Sequence, residues 1–370
     1  MIYLDYAATT PAHPSVLSAF KKAAQKYIGN PNSGHELGLM AAKAIDKALT
    51  KMRHHLHLPS SYELIPTSGA TEANNLAWQG VLNIPENKGK HIITTAFEHS
   101  SITANANYYA RNGFRVDILT TDKHGHVDLN HLRSLLCKDT ILVSVCSVNS
   151  EIGNRQPIQA IVDIIKGYPS VYFHSDVTQS IGKEPIELDG IDLISMTAHK
   201  FYGVKGIGLL IKKKKRDFTP IIRGGHSTTA YRRGTPATEL IVSMERALKL
   251  AMQGQITNYD YVVGINEYAR EHLSPLPNIV FNSEATDSPF VFNFSLPGCS
   301  SQATVTYLSQ RGIYISNHTA CESDADLSSA ILSLTSDQAL ATSSVRLSFS
   351  YLTTIEEIDR LIEVLRGYCK

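Results

Sequence analysis

Two short stretches carry side chains able to do chemistry on an amine. Phe173-His174-Ser175-Asp176-Val177-Thr178-Gln179 supplies a carboxylate and an amide, and Thr197-Ala198-His199-Lys200 a hydroxyl, an imidazole and a primary amine. Val171 to Phe173 read as a short buried strand, with Asp176 just past its carboxyl end. Leu193, Ile194 and Met196 make a second strand that delivers His199 and Lys200. Ligands of open parallel sheets bind outside the carboxyl ends of the strands, so this layout places these groups around one crevice. A carboxylate that faces a ring nitrogen and a lysine that forms a Schiff base are what a protein contributes to pyridoxal phosphate chemistry. A lysine taken alone is ordinarily solvated surface; the flanking strand and Asp176 set Lys200 apart.

Other stretches offer further groups. Ser68-Gly69-Ala70-Thr71 opens a helix running to about Leu82. The first N–H groups of a helix lack internal partners and carry partial positive charge, and small residues let a phosphate approach them. The cysteines, 5 in number and widely spaced, suit neither a disulfide framework nor a zinc site. Cys146 ends a buried-strand pattern from Ile141 and reads as a core thiol. Cys321 lies in a polar segment, Asn317-His318-Thr319-Ala320-Cys321-Glu322-Ser323, that runs on through Asp324 and Asp326. Loops of this kind carry catalytic residues on rigid scaffolds, and the thiolate is the reactive form of a cysteine. Ser344-Val345-Arg346-Leu347-Ser348-Phe349 alternates polar with apolar, so Arg346 points away from the buried face; its guanidinium fork suits a carboxylate. Lys212 to Lys215 with Arg216 read as a solvated face or hairpin tip.

The elements that must position these groups follow from apolar spacing. Val16 to Lys26 and Gly38 to Leu56 read as helices around the breaker cluster Ile28-Gly29-Asn30-Pro31-Asn32-Ser33. Ile92 to Thr95 is a strand leading into Phe97-Glu98-His99-Ser100, and Ile141 to Cys146 leads into Val148-Asn149-Ser150-Glu151. Glu239 to Leu273 reads as one long helical stretch, with a break possible within it. The sequence has 370 residues, enough for two domains. It is 43% hydrophobic and 19% charged, the composition of a soluble globular protein. A net charge of +1 argues against a general nucleic-acid binder. No apolar run reaches bilayer-crossing length, and Met1 to Asp5 lacks the basic-then-apolar pattern of a signal peptide. The expectation is a cytoplasmic protein without direct membrane contact.

In this order and spacing the motifs resemble the cysteine desulfurases of the class V aminotransferase superfamily, over nearly the whole chain. Asp5-Tyr6-Ala7-Ala8-Thr9-Thr10-Pro11 is similar to the family's opening motif, and Gly29-Asn30-Pro31-Asn32-Ser33 to its Gly-Asn-Pro-Ser-Ser. Arg223-Gly224-Gly225-His226 to Arg232-Arg233-Gly234-Thr235 is similar to its glycine-rich segment, and Ala320-Cys321 to the centre of its Ser-Ala-Cys-Thr-Ser. The resemblance implies an α/β fold of the fold type I pyridoxal phosphate enzymes. A large domain, residues 13–254, would hold a mostly parallel central sheet; a smaller α/β domain, residues 1–12 and 255–370, would carry Arg346 and the Cys321 loop. It also implies pyridoxal 5'-phosphate as cofactor and L-cysteine as substrate, with release of L-alanine and sulfur left on Cys321 as a persulfide.

In that scheme Lys200 holds the cofactor and then shuttles protons, Asp176 keeps the pyridine nitrogen protonated, and His99 stacks on the ring. Ala70, Thr71, Thr197 and His199 hold the phosphate. Thr235 reaches it from a neighbouring subunit, so a homodimer is expected. Arg346 and Asn30 orient the substrate carboxylate, and Gln179 donates to the cofactor's phenolic oxygen. Ser150 stands where the family usually has a second asparagine; a hydroxyl reaches less far than an amide, so that contact is lost or bridged by water. Ser227 and Thr228 replace the usual Gln and Glu, and His318 a common Gly. The spacing after Cys321 favours the longer-loop type, for which an iron–sulfur scaffold or a tRNA-thiolating enzyme is the sulfur acceptor. Two other readings fit: transamination or selenocysteine cleavage on the same cofactor, and a non-catalytic sulfur-relay scaffold. The departures at Ser150, His226 to Tyr231 and His318 favour the scaffold; Asp176, Lys200 and Arg346 oppose it.

Overall fold

The computed structural model describes residues 1–85, 89–225, 227, 229–317 and 327–368. The strands run β1 (Ile2–Tyr3), β2 (Tyr62–Thr67), β3 (His91–Thr94), β4 (Arg115–Ile118), β5 (Thr140–Ser144) and β6 (Tyr172–Asp176). They continue with β7 (Leu193–Thr197), β8 (Gly208–Lys213), β9 (Val280–Phe281), β10 (Val291–Ser295), β11 (Ile313–Tyr314) and β12 (Ser344–Ser348). Seven of them form one sheet in the order β2-β8-β7-β6-β5-β3-β4. From β7 through β6, β5 and β3 to β4 the pairs are parallel, while β8 runs antiparallel to both β7 and β2. β5, β6 and β7 are buried at every residue, as strands covered on both faces must be.

The helices that matter for the site are α1 (Pro14–Lys26), α2 (Glu36–His55), α3 (Ala70–Leu82) and α4 (Ser100–Arg111), followed by α5 (Leu129–Leu135), α6 (Ile158–Ile165) and α7 (Thr238–Leu273). α7 is unbroken over 36 residues, although Gly254 and Gly264 each cost about 1 kcal/mol in a helix interior. Burial outweighs that cost. Ile241, Met244, Ala247, Leu248 and Ala251 belong to the large-domain core, with Val16, Ile45, Phe173 and Met196. Val262, Ile265, Ala269 and Leu273 belong to a second core with Leu4, Phe292, Val345 and Leu361. Each fully buried Val, Leu, Ile, Phe or Met side chain contributes about 1.5–3 kcal/mol, and the alanines less. The helix therefore spans both cores, and Gly254 and Gln255, where the domain boundary was expected, lie within it.

The second core is organised by the small sheets β12-β10-β9 and β1-β11. Leu4 places the N-terminal segment in this core, and the Ser348 N–H donates to Leu4 O at 2.8 Å. The fold is that of the fold type I enzymes: a large domain with a mostly parallel sheet and a smaller α/β domain. Among the described residues no helix is long and apolar enough to cross a membrane.

The basic run corrects an expectation. Lys212 is fully buried, its Nζ 3.0 Å from Glu63 Oε1 and 4.9 Å from the Tyr231 ring centroid. Lys213 and Arg216 both pair with Asp192, at 3.2 and 2.8 Å. Only Lys214 and Lys215 are exposed. The first lysines lie on β8, an interior strand of the sheet, and the acids facing them are far away in sequence.

Candidate active site

The carboxyl ends of β6 and β7 open onto a cavity of about 410 Å³. It is lined by Ala70, Thr71, His99, Ser150, Asp176, Gln179, Thr197, His199, Lys200 and Arg346, all singled out from the sequence. Asn30 and Thr235 are not part of that lining. Asn30 is exposed in the turn between α1 and α2, where its Oδ1 accepts the Asn32 N–H at 2.9 Å. Thr235 lines a smaller adjoining cavity that shares Ser68 and Gly206 with the first. Cys321 and His318, with His226 and Thr228 of the glycine-rich segment, lie outside the described residues.

Asp176 is the last residue of β6 and is almost fully buried. Its Oδ2 accepts from Asn74 Nδ2 at 2.7 Å and its Oδ1 from the Thr178 N–H at 2.9 Å. Both donors are neutral, and no lysine or arginine among the described residues forms an ion pair with it. Lys200 closes the turn after β7, where its Nζ donates to Ala7 O at 2.6 Å and to Ala8 O at 2.8 Å. Ala7 and Ala8 of the N-terminal segment thus border the site.

Gln179 gives one N–H to Ala7 O at 3.0 Å and accepts from Lys183 Nζ at 2.8 Å. Burial pushes the Lys183 ammonium down to about 7, reinforced by the charge of Lys200. Burial also pushes His199 down to about 4, again with Lys200 adding to the effect, so this imidazole is neutral at pH 7.

Arg346 departs from the simple strand pattern. Val345 and Leu347 face the small-domain core, as alternation requires, but the opposite face of β12 is buried too. Arg346 is 1% exposed there. Its Nη2 bonds Asp5 Oδ1 at 2.7 Å and its Nη1 bonds Ser150 O at 2.8 Å, while Nε has no partner. The guanidinium meets the cavity already paired.

The sequence reading missed several groups. Cys146 is buried, as expected of a core thiol, but it also lines the cavity, and burial raises its thiol well above the ordinary range, which leaves it a poor nucleophile. Burial raises Glu98 to about 8; its Oε1 accepts from the Cys146 N–H and from Thr95 Oγ1, and Oε2 has no partner. Asn74 had a legible signal: it is a polar residue on the same helix face as Trp78 and Val81, both buried.

A pyridoxal phosphate would need an amine to tether it, a carboxylate for its ring nitrogen and N–H donors for its phosphate. The first two open here onto one cavity. The N-cap of α3, Gly69, makes no side-chain cap bond, which leaves first-turn N–H groups to a ligand. Gly208 lets the strand pass against Gly69, where a Cβ would lie 2.7 Å from its Cα. Asp176, with two donors and no cation, suits a protonated ring. The residues present fit the group.

This fold and this site define the class of fold type I pyridoxal phosphate enzymes. The sequence matches the family described as Aminotransferase class-V over residues 2–361. The NifS/IcsS protein homolog of Lactobacillus delbrueckii subsp. bulgaricus is 36% identical over 368 residues, covering 98% of this chain and 95% of that protein. Cysteine desulfurase IscS of Dictyoglomus turgidum is 35% identical over 369 residues, covering 98% and 93%. Among solved structures, a NifS-like protein superposes with a TM-score of 0.93 at 29% identity, covering 99% of this chain and 98% of that one. SspA, solved in complex with cysteine, superposes with a TM-score of 0.83 at 27% identity, covering 96% and 100%. The chain belongs to the class-V aminotransferase family and is a homologue of its NifS/IscS cysteine desulfurases.

Proposed function

We propose that this chain is a pyridoxal-phosphate-dependent cysteine desulfurase that converts L-cysteine to L-alanine and takes the sulfur onto Cys321 as a persulfide. The observation that carries this reading is the opening of Lys200 and Asp176 onto one cavity with Arg346 on its wall. The desulfurase relatives and the cysteine-bound SspA support the choice of substrate. When bound, pyridoxal phosphate draws electrons from the amino acid's α-carbon, so that the bond from Cβ to sulfur becomes labile.

Lys200 would tether the cofactor through Nζ and would hold and deliver protons at the same atom. Asp176 keeps the ring nitrogen protonated. The N–H groups at Ala70 and Thr71, with Thr197 and His199, bind the phosphate, and Thr235 of a second copy completes the cradle in a homodimer. Gln179 would donate to the phenolic oxygen, with Ser150 reaching it only through water. Arg346, helped by Asn30, binds the substrate carboxylate. The Cys321 thiolate attacks the substrate sulfur. The Cβ–S bond breaks and an S–S bond forms; Cys321 is oxidised to the persulfide and the substrate carbon is reduced to the methyl of alanine. Atoms and electrons balance without an outside oxidant. An acceptor protein, an iron–sulfur scaffold or a tRNA-thiolating enzyme, then takes the sulfur.

The test is incubation of the cofactor-loaded protein with L-cysteine. Alanine should form in step with sulfide under reductant, and mass spectrometry should place the extra sulfur on Cys321. Cys321→Ala should abolish both. Alanine formed at the same rate by that variant would instead indicate another reaction on the same cofactor.

A further inference from the structure

A line of hydrogen bonds, buried at the Asp176 end and part-buried at His99, connects two groups of the site. His99 caps α4, and its Nδ1 accepts from the Ser101 N–H at 3.1 Å. A backbone N–H can only donate, so Nδ1 carries the lone pair and the ring proton is on Nε2. Ser101 Oγ lies 2.8 Å from the same Nδ1 and accepts from Asn74 Nδ2 at 2.9 Å, so the hydroxyl hydrogen points to His99. The same Nδ2 gives its second hydrogen to Asp176 Oδ2 at 2.7 Å. Turning the amide round would set Asn74 Oδ1 against a carboxylate. That oxygen is buried with no partner, so the two acceptors, and not Oδ1, fix the orientation. Every proton position from Asp176 to His99 is thereby determined.

We infer that Asn74 and Ser101 are positioning residues that join Asp176 to His99, fixing the imidazole as the Nε2–H tautomer and coupling its basicity to the carboxylate. The role assigned to His99 and Asp176 rests on the desulfurase reading; the hydrogen-bond chain does not. A hydroxyl that accepts one bond donates another more strongly. Asn74 thus strengthens the Ser101 O–H bond to Nδ1 and makes His99 harder to protonate, although the two side chains are separated by Ser101. Other titratable groups around this line are Glu98 and Cys146, His174 on β6, and Lys200 with Glu72 on the cavity wall.

The experiment is a double-mutant cycle on the full chain without cofactor, read by histidine nitrogen NMR, with the His99 signals assigned by their loss in His99→Gln. Wild type should show a lone pair on Nδ1 and a proton on Nε2. Asn74→Ala should raise the His99 titration midpoint by about half a pH unit, and Ser101→Ala by at least as much. In the Ser101→Ala background Asn74→Ala should add almost nothing, and Ser101→Thr, which keeps the hydroxyl, should restore the wild-type midpoint. Asn74→Ser, too short to bridge both acceptors, gives the same reading should the alanine variant not fold. Equal shifts from Asn74→Ala in both backgrounds, or no shift in either, would overturn the inference. Failure of the wild-type protein to develop an absorbance band with pyridoxal phosphate would sink the desulfurase reading and leave this cycle intact.

Discussion

Asp176 and Arg346 are the two buried charges that frame the cavity, and the protein treats them differently. Asp176 is held by the Asn74 amide and the Thr178 N–H, neutral donors that fix its position and leave its charge uncompensated. Arg346 is bound to Asp5 and to a carbonyl, so its charge is already matched. A buried charge without a partner is costly unless something of opposite sign arrives. On the proposed function, Asp176 suits a permanent cationic guest such as a protonated ring. Arg346, shared with Asp5 in the meantime, suits a guest that comes and goes.

The largest effect should come from breaking the first arrangement. Asp176→Asn keeps the shape but removes the charge and turns one of the two accepting oxygens into a donor. Turnover with cysteine should fall about a thousandfold, measured as alanine produced, while cofactor remains bound. A loss below tenfold would mean that the charge is not used.

Breaking the second arrangement should act on binding and stability together. Arg346→Ala leaves the partly exposed Asp5 with the Ser316 hydroxyl in place of an ion-pair partner, and breaking a largely buried pair costs up to about 3–5 kcal/mol. Denaturant unfolding should show that loss, and KM for cysteine should rise more than kcat falls. Asp5→Asn sharpens the contrast: it should lower KM by freeing the guanidinium, at some cost in stability. An unchanged KM in that variant would show that Asp5 does not compete with the substrate.

The remaining predictions concern the acid and hydroxyl beside these charges. Burial raises Glu98 to about 8 in the folded chain, whereas the unfolded chain binds that proton only below the ordinary glutamate range. Between roughly pH 4.5 and 8 the folded state therefore carries the extra proton, and stability falls by about 1.4 kcal/mol per pH unit from this group alone. Glu98→Gln should flatten that slope in pH-dependent unfolding. Ser150→Asn should produce the smallest change, a shift of the pH midpoint of the cofactor's absorbance without loss of binding. An unmoved midpoint would mean that residue 150 does not reach the phenolic oxygen.

The comparison also marks what the sequence could tell. Asp176 and Lys200 were legible because one ends a strand and the other closes the turn after its parallel neighbour, and ligand sites in such sheets lie at those ends. The burial of Arg346 was not. Alternation identifies the face of β12 that meets the core, but it cannot show that residues 1–10 cover the other face. Lys212 was missed for a related reason: a charge run signals solvent only if its strand lies at an edge, and β8 lies between β2 and β7. The Asn74 fork depends on two acceptors, Ser101 and Asp176, far from each other in sequence, a convergence that only the fold creates.

The most direct test of the central claim is to load the protein with pyridoxal phosphate, trap the linkage with borohydride and map the modified lysine by mass spectrometry. The account predicts the pyridoxyl group on Lys200 alone, absent after Lys200→Ala. Modification of Lys183, a buried amine beside the site, or of no lysine at all, would contradict it.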